Sequence, residues 1–394
     1  MTKMIKFSKR RNMQYLIFLL VYHSLRKING ILLDKIHHFN NSLVFTFLMF
    51  SGELIGGLAI YIYQNLFFIN KAEKNIQTGI KLIHTKKSFY NPGDKKYKIA
   101  LLIFFSSFFD FTQFLILYLI PKLTFLSPSS DLRLCNITTI ASSLLCTYGL
   151  RLKIGKHHFF SLIGMGACSI VIFIIELICK LRGINFGNFL LAYILVVFRL
   201  IIISFNDVSE RYLVENNFLN KFTILSYEGL FGIILCIIFS IITEENPLYI
   251  VNKSFNNYDI SEKIFFIFFL LLYFALSAGI NIYKIICNVV YTPMAKSLPA
   301  YFLNPIFLIY YFIYEKDFTV KGNKSYFYLI INIFISLVID FLACIYNEIF
   351  ILYCFGLEHG THQDISHRAY INSIIDIKMN DLDYDITIND NEDE

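Results

Sequence analysis

Long apolar runs separated by short polar segments make up most of the chain. The runs Ile99–Ile120 and Ile264–Ile286 place apolar residues on every helical face, not along one stripe. Each is long enough to cross a hydrocarbon layer of ~30 Å, which takes about 20 helical residues. No period-two alternation appears in them, which argues against a β-barrel and leaves helices, which satisfy their own backbone groups, as the way to span lipid. The pattern predicts spans near 14–33, 42–68, 98–120, 131–150, 158–179, 186–206, 222–243, 264–290, 295–314 and 326–354. The first is interrupted by Arg26 and Lys27, and the fourth and ninth are thinned by polar residues and proline.

Composition sharpens this reading. Apolar residues make up 56% of the chain and charged residues 16%, with a mean hydropathy of +0.57. A soluble chain carries roughly 25% charged residues, so a soluble enzyme is excluded. The eight cysteines lie in or beside the apolar runs without a CxxC pair, and read as packing residues, not a metal site or disulfide framework. The basic amino terminus (Lys3, Lys6, Lys9, Arg10, Arg11) is followed by no small-residue cleavage site and introduces a first span, not a removed signal. The net charge of +6 needs no nucleic-acid partner, because the basic residues stand beside spans. With the amino terminus in the cytosol, 21 of the 35 Lys and Arg residues are cytosolic, nine are opposite and five lie in spans. The positive-inside rule therefore predicts that both termini are cytosolic. Sequons at Asn40, Asn252 and Asn323 fall in loops on the opposite side, and a fourth, Asn136, lies inside span 4. Residues 1–13 form a basic cytosolic terminus, 14–180 a first five-helix unit with a polar cytosolic loop at 71–98, and 181–357 a second such unit. Residues 358–394 form an acidic cytosolic tail.

Ionisable side chains inside spans cost several kcal/mol unless they meet a partner or a wet cavity. Glu53, Asp110, Arg133, Glu176, Arg199, Glu228, Lys284, Asp340 and Glu348 are in this position. For any one of them a structural ion pair or snorkelling to the interface competes evenly with function, and for Glu176 and Arg199, near span ends, that reading leads. Asp110 and Asp340 lie deeper, and a basic partner such as Arg133 or Lys284 across a central cavity would offset their cost. Gly52, Gly56, Gly229 and Gly232 allow close helix approach, and packing is their leading reading. Pro299 and Pro305 are each expected to remove a hydrogen bond from span 9 and kink it. The tail histidines His359, His362 and His367 lack companion ligands at a metal-site spacing, so neither metal nor other cofactor is expected.

Phe50-Ser51-Gly52-Glu53-Leu54-Ile55-Gly56 in span 2 and Ser226-Tyr227-Glu228-Gly229-Leu230-Phe231-Gly232 in span 7 both put a Glu beside a Gly, with another Gly a turn later. Their separation is the one that a duplicated five-span unit requires, and an odd number of spans per unit inverts one copy relative to the other. Chance similarity in a biased sequence is the competing reading.

Several segments together resemble one family. Phe47-Leu48-Met49-Phe50-Ser51-Gly52-Glu53 is similar to an MFLGE motif of its second helix, and Asp110-Phe111-Thr112-Gln113 to the opening of a motif in its third. Asp131-Leu132-Arg133 resembles the MLRG start of its fourth helix. Glu210-Arg211-Tyr212-Leu213-Val214 with Tyr227-Glu228-Gly229-Leu230-Phe231-Gly232 resembles EEKFV and GxEGLFG, and Cys344-Ile345-Tyr346-Asn347-Glu348 resembles ALYN in the last helix. The family is the drug/metabolite transporter superfamily, in its nucleotide-sugar-transporter-like solute carriers of family 35, F-type branch. The resemblance covers about residues 13–357. It implies ten helices in two inverted repeats of five, a central cavity, alternating access, and a substrate path lined by helices 4 and 9. The pattern departs at Lys296-Ser297-Leu298-Pro299-Ala300, where the branch has DSLRT, and at Leu134 in place of a Gly.

The leading expectation is a transporter, not an enzyme, moving a small polar or anionic metabolite, a nucleotide sugar among the candidates, across an endomembrane such as that of the Golgi, lysosome or vacuole. Arg133 with Lys284 or Lys296 would give the cavity positive potential, and Asp110 and Glu53 would set local charge or couple protons. The acids also admit a cationic amino acid or drug. A transport-inactive scaffold of the same fold is the alternative, and a membrane-embedded enzyme comes third. The expected partners are a small solute and lipid, with a homodimer admitted.

Overall fold

The computed structural model describes residues 2–39, 41–64, 96–123, 133–150, 154–180, 186–217, 219–256, 258–290, 294–314, 319–320, 323–352 and 357. The helices are α1 (Thr2–His37), α2 (Ser42–Tyr63), α3 (Lys96–Leu123), α4 (Asn136–Gly149), α5 (Lys156–Lys180), α6 (Phe186–Asn217) and α7 (Lys221–Thr243). They continue with α8 (Ile260–Val290), α9 (Leu298–Tyr314) and α10 (Tyr326–Tyr346). A short connecting helix, Pro247–Asn256, lies between α7 and α8, and a two-residue antiparallel ladder, Thr319–Val320 with Asn323–Lys324, between α9 and α10. Among the described residues nine helices, all but α4, are long and apolar enough to cross a membrane. The predicted loop 71–98 and the acidic tail fall almost wholly outside the described residues, as do the tail histidines.

Burial is arranged as lipid demands. On α7, Glu228, Gly229, Gly232 and Cys236 face inward, while Leu230, Ile234, Ile237, Ile238, Ile241 and Ile242 are exposed. Large apolar side chains are exposed in the same way along the other long helices, and many of the polar ones are buried. In water such a surface would be an association hazard; against acyl chains it is the ordinary outer face of a helical bundle. The chain is a multi-pass helical membrane protein.

Side chains cap helix starts by accepting an N–H from the first turn: Asn41 from Val44 (3.0 Å), Asn220 from Phe222 (2.9 Å), Asn246 from Leu248 (2.9 Å) and Ser325 from Tyr328 (3.3 Å). Of the departures from the predicted spans, three bear on the interior. Span 4 is expected over 131–150, but its regular helix begins only at Asn136. At about 1.5 Å per residue, its 14 residues fall short of a full crossing. Its inner face is polar (Asn136, Thr138, Thr139, Ser142, Ser143), and it is held between α5 and α6. Span 6 is expected to stop at 206 but runs on to Asn217. In span 9, Pro299 is the second residue of α9, where a helix uses no N–H donor, so only Pro305 removes an internal bond.

The most extensive helix contacts are α2 with α7, α1 with α8, α3 with α6, α2 with α8, α3 with α7, α4 with α6, α1 with α9, α5 with α10, α9 with α10 and α4 with α5. At the centre α2 and α7 meet backbone to backbone. A Cβ on Gly57 would stand 2.9 Å from the Phe222 carbonyl, and one on Gly229 would stand 2.6 Å from the Phe50 carbonyl. Rising numbers on one helix meet falling numbers on the other, so the pair is antiparallel. Gly52 and Gly56 open the other side of α2 to Ala278 and Ile282 of α8, and Gly232 leaves room for the Phe50 ring. Absent side chains, not a hydrophobic driving force, permit this approach inside a bilayer.

Gly229→Ala is expected to force the α2 and α7 backbones apart and to lower stability by about 1–3 kcal/mol, the usual cost of overpacking. Gly166→Ala, where a Cβ meets nothing within 4 Å, is the matched control. Thermal unfolding of the two purified variants in one detergent checks the difference.

Candidate functional site

Three groups of polar side chains occupy the interior. The first gathers around Lys284 of α8. Its Nζ lies 3.2 Å from Glu210 and 3.6 Å from Asp207, both on α6, and 3.9 Å from Asp110 on α3. Lys296, in the turn before α9, pairs with the same Asp207 carboxylate. Asn288 donates to the other Glu210 oxygen at 2.6 Å, Gln113 donates to Asp110 at 2.7 Å, and Ser106 bonds Asn206. Glu53 of α2 and Glu228 of α7, buried at 3% and 2% exposure, complete the group. Each has one carboxylate oxygen without a hydrogen bond among the described residues. Glu53 is within Coulombic reach of Asp110, Lys284, Glu210 and Arg26. The arrangement is a network of several carboxylates sharing a few cations. The lysines' attraction for the acids they pair with offsets part of the several kcal/mol that each buried ion costs.

The second group is a cavity of about 460 Å³, partly open to the surface. It is lined by His23, Arg26, Lys27, Gly30, Ile31 and Asp34 of α1, Phe45 of α2, Tyr273 of α8, and Tyr310 and Tyr311 of α9. Arg26 and Lys27 stand at the middle of the Gln14–His37 span. Asp34, Phe45 and Tyr310 lie toward the membrane face where α1 ends, α2 begins and α9 ends. Lys27 is held over the rings of Phe307 (4.1 Å) and Tyr311 (5.4 Å), and Lys35 over Tyr314 (3.5 Å). Such contacts position a cation without neutralising it. Among the described residues neither Arg26 nor Lys27 takes part in an ion pair. The inner end of the cavity approaches the lysine network, since His23 is within Coulombic reach of both Lys284 and Lys296.

The third group surrounds Arg133, just before α4. Its guanidinium meets Glu176 of α5 at 2.9 Å and the Tyr328 hydroxyl of α10 at 2.6 Å, with the two charged side chains 1% and 0% exposed. Nearby, Asn304 of α9 donates to the Cys135 sulfur at 2.8 Å, and the Tyr301 and Thr139 hydroxyls are paired. Asp340 of α10 is buried on this side, within Coulombic reach of Cys135 and Tyr301.

Glu53, Asp110, Glu228, Lys284 and Lys296 are thus brought together, while Arg133 and Asp340 stand apart from them. Two expectations are corrected. Lys284 and Lys296 do not give the cavity positive potential, because Asp207, Glu210 and Asp110 hold them. Of the two basic partners expected for the deep acids, Lys284 does reach Asp110, at 3.9 Å, while Arg133 pairs with Glu176. Asp207 escapes the sequence reading because span 6 is ended at 206, one residue short of it, and Glu210 enters that reading only in the family resemblance, not as a site candidate. Arg26 and Lys27 escape it because the pair reads as a flaw in span 1. Their signal was their depth. The sequon residue Asn136 is buried and donates to the Met165 carbonyl at 2.7 Å, so it is no glycosylation acceptor in this fold. Comparison with known protein families and with characterised proteins finds no match for the chain, so the functional reading stands on these residues.

Arg133→Met leaves the Glu176 carboxylate buried without its cation and is expected to cost about 3–5 kcal/mol. Arg133→Met combined with Glu176→Gln is expected to recover most of that loss. Thermal unfolding of single and double variants, with the coupling taken from the cycle, tests whether the pair is structural.

Proposed function

We propose that the chain is an alternating-access transporter of a small anionic metabolite, built from two inverted five-helix repeats and placed in an internal membrane. The observation that carries the reading is the cavity reaching from one membrane face to Arg26 and Lys27 at mid-span, with the Lys284–Lys296 network beyond it. Two cations without ion pairs among the described residues, flanked by tyrosines, suit a solute that brings negative charge and a ring or other flat apolar surface. A nucleotide sugar has both features and is one candidate. The lysine–carboxylate network lies toward the face where α1 begins and α9 starts, where it would keep the path shut while the cavity is open to the other face. With both termini cytosolic, the open face is the lumen.

The helix contacts support the repeat. Adding five to each helix number turns α1/α8 into α6/α3, α2/α8 into α7/α3, α1/α9 into α6/α4 and α4/α5 into α9/α10, and maps α2/α7 and α5/α10 onto themselves. All of these pairs are present. Among the described residues the contacts of α6 with α8 and of α6 with α7 are exceptions, lacking counterparts of like extent between α1 and α3 and between α1 and α2. The antiparallel crossing of α2 and α7 is what inversion requires of equivalent helices.

Purified protein is to be screened by thermal shift against UDP-sugars, sugar phosphates and basic amino acids. A solute at 100 times its Kd adds about 2.7 kcal/mol to its binding state. An anionic class is expected to stabilise the protein. Arg26→Ala and Lys27→Ala are each expected to weaken that solute at least about tenfold, the loss of one charge-assisted hydrogen bond, and to slow its uptake into proteoliposomes. Stabilisation by basic amino acids alone would overturn the anion assignment. No stabilisation and no uptake for any class would favour the transport-inactive scaffold.

A further inference from the structure

We infer that His157, His158 and Glu348 form a binding site for one divalent transition-metal ion, clasping the start of α5 to the end of α10. The inference is independent of the transport reading. One ligand atom from each residue lies within 4.8 Å of the others. His157 is 2% exposed, yet neither of its ring nitrogens has a hydrogen-bond partner among the described residues. Its Nε2 nevertheless stands 3.2 Å from Glu348 Oε1, close but without the alignment of an N–H···O bond. That separation is what two ligands of one tetrahedral ion keep, about 3.3 Å for bonds of ~2.0–2.1 Å.

The neighbouring atoms suit the same purpose. His158 Nδ1 accepts the Gly155 N–H at 3.1 Å, so that nitrogen is unprotonated, and its lone pair would exchange this bond for the ion. The two imidazole rings lie 3.9 Å apart between centroids, and Tyr346 packs edge-on against His158. Glu348 holds its place through a left-handed backbone (φ 56°), an uncommon conformation for a residue with a side chain. With its side chain 23% exposed, it leaves an approach for an aqueous ion. Two imidazoles and one carboxylate select zinc or another first-row ion over calcium and magnesium, which prefer all-oxygen shells. Water would complete the coordination.

The test uses full-length protein in detergent, stripped with a chelator and titrated with Zn²⁺ or Co²⁺. One ion per chain is expected, with the visible spectrum of four-coordinate cobalt carrying no thiolate charge-transfer band, and a zinc-dependent rise in unfolding temperature. His157→Ala and Glu348→Gln should each weaken zinc by more than the 10–100-fold that follows loss of an outer ligand partner, and abolish the rise. The near-isosteric Glu348→Gln guards against a folding failure. A triple His359→Ala, His362→Ala, His367→Ala variant should bind as the parent does. Zinc binding that survives in both site variants, that vanishes in the tail variant, or that shows thiolate ligation would overturn the site, as would equal competition by Ca²⁺ or Mg²⁺.

Discussion

Close contact between α2 and α7 organises the interior. A side chain at Gly57 or Gly229 would hold the two backbones apart, and with them the faces bearing Glu53 and Glu228. Because both helices carry a Glu one turn from a packing Gly, the same contact that closes the bundle brings two carboxylates into its centre. Helices α3 and α8 then lie against both members of the pair and supply Asp110 and Lys284. In lipid there is little gain from hiding one apolar helix against another, so van der Waals fit and polar contacts decide which faces turn inward. The ion network is therefore a consequence of the packing, and it also helps to fix that packing.

Charge inside the protein is handled in two ways. Arg133 and Glu176 form a deeply buried ion pair, with the Tyr328 hydroxyl accepting from the same guanidinium. Around Lys284 the charges are shared among several acids instead of paired, so that small helix movements can exchange one partner for another at modest cost. Arg26 and Lys27 follow neither pattern. They face a cavity, and the rings beside Lys27 hold it in place while leaving its charge in force.

Much of the architecture was legible because a span needs a long apolar run, and nine such runs became long helices. Their inner chemistry was less so, for a physical reason. Hydropathy measures the cost of lipid contact, while the ends of helices in a bundle are shielded by neighbouring helices. Asp207, Glu210 and Arg211 read as loop on that scale, yet α6 continues through them because Lys284, Lys296 and Asn288 meet the two carboxylates and Glu215 meets Arg211. The fourth span failed in the opposite sense. Its serines and threonines counted as diluted apolarity, whereas they form the buried face of a short helix that never meets lipid on that side. Arg26 and Lys27 show the same bias. Within an apolar run a basic pair lowers the score of the span, although its cost there is the best sign that a ligand or cavity compensates it. The approach of His157 to Glu348 lay beyond any local pattern, since it depends on how α5 and α10 dock.

The position of the lysine network relative to the cavity bears on how one chain could face two sides in turn. A path that opens to one face must be closed toward the other by contacts weak enough to break. Interdigitated leucines would hold such a closure firmly, and each opening would forfeit their packing. Ion pairs shared among Asp110, Asp207, Glu210, Lys284 and Lys296 behave differently, because water entering on opening solvates the separated groups and returns much of the energy lost. An anion bound at Arg26 would also weaken the pull of that guanidinium on Glu53, within whose reach it lies. On the transport reading proposed above, solute and gate would be coupled through one electrostatic field, with no need for a mechanical linkage between them.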